Sequence, residues 1–204
     1  MSPDADRRLA LASVAVIIAV VALALGWKLG EPAVPAVDSV DVGFLRDMID
    51  HHDQAVLMST YVLRRDAGVD VDTESYALEI ISEQRFEVGL MTAWLDDWGY
   101  GRGDPDRRAM GWMDMAPTSV DEMTGMQSAS KLEALDEATG READRRFLQM
   151  MIEHHQGGIH MGEFAQQHAS DERVRTLAGR VVSVQRSEIT DLRNLQRRLG
   201  LTVS

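Results

Sequence analysis

"FLRDMIDHHDQAVLM", residues 44–58, returns as "FLQMMIEHHQGGIHM", residues 147–161, at an offset of 103. Phe, Leu, Met, Ile, an acidic residue, His-His and the closing Met all fall in register. A second pair follows each copy, "IISEQRFEVGLMTAWLDDWG" from Ile80 and "VVSVQRSEITDLRNLQRRLG" from Val181, at an offset of 101. The chain therefore holds one helical hairpin twice, the second with a turn two residues shorter.

At about 100° per residue, Phe44, Met48, His51, Ala55 and Met58 share a helical arc of about 80°, with His52 on the adjoining shoulder beside Leu45, Ile49 and Val56. A stripe of this kind faces a core, and the repeat puts Phe147, Met151, His154, Gly158 and Met161 in the same place. Both copies thus aim imidazole and thioether inward. Gln84 with Glu87, and Gln185 with Glu188, present an amide and a carboxylate three residues apart on the partner helices. Each pair is suited to accept a hydrogen bond from the far nitrogen of an imidazole and so fix its tautomer.

Caps and breakers set the helix limits. Asp38 or Ser39 opens the first helix and Gly68 closes it; Asp72 or Thr73 opens the second and Gly99 closes it. "TGRE", residues 139–142, reads as a capping box for the third, while Asp171 and Gly200 bound the fourth. The expected fold class is all-α: an antiparallel four-helix bundle over residues 39–204 made of two repeated hairpins. Between the hairpins, residues 100–138 form a connector holding Met110, Met113, Met115, Met123 and Met126, which reads as a hydrophobic lid or a metal basket. Ser119 with Glu122 suggests one short capped helix there, and residues 126–138 a second.

Composition agrees: 45% of residues are apolar but only 5% aromatic, which favours helix on helix over a strand-rich sandwich. The net charge of −12 speaks against nucleic acid as a partner. There are no cysteines, so disulfides and thiolate metal sites are excluded, and any soft ligand is methionine.

Residues 9–27, "LALASVAVIIAVVALALGW", carry no charge and approach the ~20 apolar residues a helix needs to cross a bilayer. The expected layout is a cytoplasmic amino terminus at residues 1–8, a transmembrane helix at 9–28, a linker at 29–38 and an extracytoplasmic body at the cell membrane. A cleaved secretory signal is the rival, because Ala22-Leu23-Ala24 fits a small-x-small cleavage site.

Neutral imidazole with thioether and no thiolate matches copper best among the common metals. The chain contains no Glu-x-x-His pair, which speaks against a ferritin-like di-iron centre. No nucleophile, base and oxyanion device assembles, so the sequence makes no case for an enzyme. The competing reading is structural, with each histidine spent on a buried hydrogen bond to a glutamate.

The doubled pattern "MIDHHDQAVLM" at Met48 and "MIEHHQGGIHM" at Met151, followed by Gln-x-x-Glu at Gln84 and Gln185, resembles the exported family known as domain of unknown function 305. The resemblance spans about residues 40–199 and implies a ferritin-like bundle, some of whose relatives bind copper. It also implies the ligand set: His51, His52, Met48 and Met58 from the first copy, and His154, His155, Met151 and Met161 from the second, with His160 as an additional candidate.

The first functional expectation is a membrane-anchored extracytoplasmic protein that buffers or delivers copper through His and Met. The second is a non-catalytic accessory or assembly subunit of a membrane complex, with structural histidines. A metal-dependent redox enzyme is the third.

Overall fold

The structure, a computed structural model, describes residue 13 and residues 15–23, 34–104 and 106–201. It divides into two units, residues 1–34 and 35–204. In the first unit residues 15–23 are helical. Most of the remaining residues of the expected span 9–28, and residues 1–8 before it, lie outside the described residues. Among the described residues no helix is long and apolar enough to cross a membrane. The expected single-pass anchor and cell-membrane location are corrected accordingly.

The second unit is helical. Among the described residues β-structure is confined to an isolated bridge between Ala109 and Thr118. Helix α1, Val40–Val62, is capped by Ser39, whose hydroxyl accepts from Val42 N–H at 3.3 Å. Helix α2, Val71–Asp97, is capped by Asp70 rather than by Asp72 or Thr73, because the Asp70 carboxylate reaches Asp72 N–H at 3.0 Å. Helix α3 is Ala129–Asp136, capped by Ser128. Helix α4, Gly140–His168, begins after Thr139 without a side-chain cap, so the expected capping box does not form; Glu142 pairs with Arg145 and Arg146 instead. Helix α5, Glu172–Arg198, starts at the Asp171 cap. Gly99 and Gly200 end α2 and α5 at φ +77° and +63°, the left-handed turn that a residue without Cβ adopts at least cost.

Helix α1 packs on α2, α4 on α5, and α1 on α4. The core separates into two clusters. One joins Phe44, Leu45 and Met48 of α1 to Met161 and Ala165 near the end of α4. The other joins Met58 and Val62, late in α1, to Phe147, Leu148 and Met151, early in α4. The two helices therefore run in opposite directions. Burying each such Leu, Met or Phe contributes about 1.5–3 kcal/mol, so the two clusters secure the hairpins. The histidines fall at the level between the clusters.

The connector closes one side of this unit. Of its methionines, Met110, Met113 and Met123 are buried in the first cluster, Met126 packs at its edge, and Met115 is exposed. The lid reading of this segment is the one its packing fits.

Candidate metal centre

His51, His52, His154 and His155 are fully buried. Because α1 and α4 are antiparallel, each His-His pair meets the other midway along the helices. The rings of His51 and His154 stack with centroids 3.7 Å apart and planes inclined by 27°. His52 and His155 stand outside this central pair, 6.4 Å and 6.2 Å from their sequence neighbours.

The outer rings turn toward carboxylates. His52 Nε2 lies 2.8 Å from Glu87 Oε2 in a hydrogen bond in which Nε2–H donates to the carboxylate. His155 Nε2 is also 2.8 Å from Glu188 Oε2, but off the direction of a hydrogen bond. The expected amide partners behave differently. Gln84 is buried with neither amide atom bonded, and Gln185 Oε1 is likewise unbonded. The absence of a side chain at Gly158 lets the Gln185 amide lie against α4, since a Cβ there would stand 2.3 Å from Gln185 Oε1. Of each Gln-x-x-Glu pair, only the glutamate reaches an imidazole.

Both nitrogens of His51, His154 and His155, and Nδ1 of His52, make no hydrogen bond within the protein. Burial first, and then the neighbouring imidazoles, hold His51 and His154 well below the ordinary histidine value of 6.5. The opposing influence is each ring's approach to the other residue's main chain. The central rings are therefore neutral at ordinary pH, and each keeps an in-plane lone pair. A buried polar atom left unbonded costs roughly 1–3 kcal/mol, so this belt is expensive unless something uses it.

The methionines sit on both sides of the belt. Met48 and Met161 are buried in the first cluster, Met58 and Met151 in the second. His160, by contrast, is exposed and does not join the buried group. The donor chemistry, neutral imidazole bordered by thioether, fits a soft metal. Among the described residues, however, no three His, Asp or Glu side chains converge as a metal cage. Lone pairs lie in the ring plane, so two stacked rings direct them side by side rather than at one shared point.

Residues outside the motif complete the surroundings. Asp47, nearly fully buried, accepts from Met110 N–H at 2.8 Å and Trp112 Nε1–H at 2.7 Å and pairs with Arg107 at 2.7 Å. Burial raises its carboxyl above the usual 3.8 despite these donors. Arg107 also reaches Asp50 at 2.7 Å. Trp112 packs over Gly43, where a Cβ would come 2.4 Å from the indole, and meets Phe44 edge-on at 5.9 Å. Gly43, Asp47, Asp50 and Gln54 are spaced by four, three and four, so they form one stripe of α1 on which the connector is held. That spacing was visible in the sequence, but nothing there said what the stripe would receive.

The fold and this belt define an all-helical protein with paired buried histidines at the middle of its core. The chain belongs to the family described as domain of unknown function DUF305, whose model matches residues 41–196. Among solved structures it is similar to a DUF305 protein from Streptomyces coelicolor, described as a candidate secreted protein. The two are 36% identical with a TM-score of 0.73, over 81% of this chain and 96% of that one. A DUF305 fragment from Deinococcus radiodurans is 29% identical with a TM-score of 0.68, over 82% of this chain and 99% of the fragment. CopM in its Cu(I)-bound form is 22% identical with a TM-score of 0.58, over 78% of this chain and 96% of CopM, and at that distance the likeness concerns the fold. Structures of CopM with Cu(II), with silver and in the apo form match as well. No curated protein matches the chain.

Proposed function

We propose that this chain is an exported copper-binding domain that takes up the metal at the central histidine pair, for buffering or delivery rather than catalysis. The observation that carries this reading is the central pair of buried, neutral imidazoles, His51 and His154, whose ring nitrogens have no hydrogen-bond partner in the protein. The metal-bound forms of CopM and the description of the Streptomyces relative as a candidate secreted protein support it from outside. We read the four long helices as an antiparallel, ferritin-like four-helix bundle, with the belt at its middle.

In this reading His51 and His154 are the primary ligands, and Met48, Met58, Met151 and Met161 are the thioethers available to a soft ion. His52 and His155 are further ligands through Nδ1, oriented by Glu87 and Glu188 from the far side. Loading requires the stacked rings to rotate about their side-chain bonds, because stacked lone pairs do not converge. The His52–Glu87 hydrogen bond favours a second, structural role for His52 alone. It does not extend to His51 and His154, whose nitrogens are unbonded.

Titration of the full chain with Cu(I) under argon tests this. Wild type is expected to take up copper stoichiometrically and the double variant His51→Ala, His154→Ala to take up none. Uptake that survives the double substitution unchanged overturns the assignment. Met48→Leu with Met161→Leu is expected to weaken Cu(I) binding while sparing Zn(II), since only the softer ion gains from thioether.

A further inference from the structure

The connector's turn at Thr124 and Gly125 lies against α4 beside the stacked imidazoles. A Cβ on Gly157 would meet Thr124 O at 2.2 Å and Gly125 Cα at 2.5 Å. A Cβ on Gly125 would fall 2.7 Å from His154 O and 3.1 Å from His51 Nε2. Main chain rests on main chain here, an approach that two glycines permit and larger residues forbid. Thr124 is exposed and Gly125 is half-buried, so one turn of chain stands between His51 Nε2 and solvent.

The same turn is held by a reciprocal clasp. Gln54 Nε2 donates to Gln127 O at 3.0 Å, and Gln127 N–H donates to Gln54 Oε1 at 2.7 Å. The Gln127 side chain adds bonds to Gly125 O at 3.2 Å and Met150 O at 3.4 Å. Gln54 and Gly157 occupy equivalent positions of the repeat, at the offset of 103. One copy supplies the clasp and the other the seat.

We propose that the turn of residues 124–127 is a gate for metal entry to His51 and His154, latched by Gln54 and seated on Gly157. The proposal rests on the copper reading above. The latch consists of a few hydrogen bonds whose groups water can satisfy once the turn lifts, so the gate opens as a local event while the helices stay folded. The duplicated helices build the site, and the unduplicated connector controls access to it.

The experiment compares the full chain with Gln54→Ala and Gly157→Ala. Two rates are measured: stopped-flow uptake of Cu(I) under argon, and acylation of the metal-free imidazoles by diethyl pyrocarbonate, read residue by residue by mass spectrometry. Gly157→Ala improves intrinsic helix propensity while pushing the turn away, so it separates gating from loss of folding. Both variants are expected to raise Cu(I) uptake and acylation of His51 and His154 by roughly tenfold, the scale set by losing one or two modest hydrogen bonds, with copper stoichiometry unchanged. Exposed His160 serves as the reference whose acylation stays constant. Unchanged rates at His51 and His154 in both variants overturn the gate. Faster acylation in the variants, with no copper taken up by any chain including wild type, upholds the gate and overturns the copper reading instead.

Discussion

At equivalent positions of the repeat, α1 carries Asp47, Asp50 and Gln54 where α4 carries Met150, Glu153 and Gly157. The inward residues have stayed nearly alike: Phe44 and Phe147, Met48 and Met151, His51 and His154, Met58 and Met161. The stripe beside them has diverged. The α1 stripe binds the connector through Asp47, Asp50 and Gln54. On α4, Lys131 of α3 pairs with Glu153 and the Thr124–Gly125 turn sits on Gly157. Two hairpins can obey a common symmetry, but the single segment joining them cannot. The faces it touches must therefore differ, whereas the faces that meet in the core are free to stay the same.

Asp47 holds the connector to α1 most firmly. Asp47→Ala leaves Arg107, Met110 N–H and Trp112 Nε1 without their shared acceptor, and is expected to cost about 3–5 kcal/mol, the usual penalty for stripping one partner from a buried pair. Urea unfolding measures this. A loss within about 0.5 kcal/mol, the scale of a surface substitution away from any such contact, would mean that the connector is not anchored as described.

A smaller effect, shared by the two copies, is pH dependence. His51 and His154 have folded-state values below 6.5, so as pH falls below 6.5 the unfolded chain takes up protons that the folded chain refuses. The metal-free protein should therefore lose stability on acidification, by up to about 2.7 kcal/mol per pH unit for the two residues together. Above that value both states are neutral and the effect vanishes. Asp47 acts in the opposite sense at the acid end, since its raised value lets the folded state hold a proton the unfolded chain has released. Urea midpoints between roughly pH 7.5 and 5.5 should follow this slope in wild type and flatten in the double variant His51→Asn, His154→Asn. Equal slopes in the two proteins would contradict neutral central rings.

The smallest effect sharpens the difference between the outer histidines. Glu87→Ala removes an aligned hydrogen bond to a buried ring and is expected to cost about 2 kcal/mol, whereas Glu188→Ala removes an unaligned contact of equal length and should cost about half as much. Equal losses would show that the two halves hold their outer rings in the same way.

Much of this was legible in the chain itself. The register of Phe44 with Phe147, and the arc shared by Met48, His51 and Met58, identified the helical hairpins and the inward histidines, because periodicity alone decides which residues share a face. Glu87 and Glu188, set on the neighbouring helices, each lie 2.8 Å from an imidazole nitrogen. Both Gln84 amide atoms and Gln185 Oε1 are unbonded, because a spacing of three puts two groups on one face without saying which of them reaches. His160 carries a ligand's chemistry, but it points to solvent.

The start of α2 and the failed capping box at Thr139 turn on cap geometry that composition does not encode. The apolar run at residues 9–27 approaches the length of a membrane span, yet among the described residues no helix is long and apolar enough to cross a membrane. The glycines of "QGGIH" were a readable signal, since two adjacent glycines inside a helix lower its stability by roughly 1 kcal/mol each relative to alanine unless something must come close. What comes close, however, is the connector turn on one of them and the Gln185 amide on the other, and neither is near in sequence.

The all-helical class, the duplicated hairpin and the burial of the histidines follow from local periodicity and side-chain chemistry alone. Only the tertiary structure decided that α1 and α4 cross with His51 stacked on His154, and that the connector rests on Gly157 while Gln54 holds it. Those outcomes depend on how distant faces meet, and no spacing along one helix carries that information.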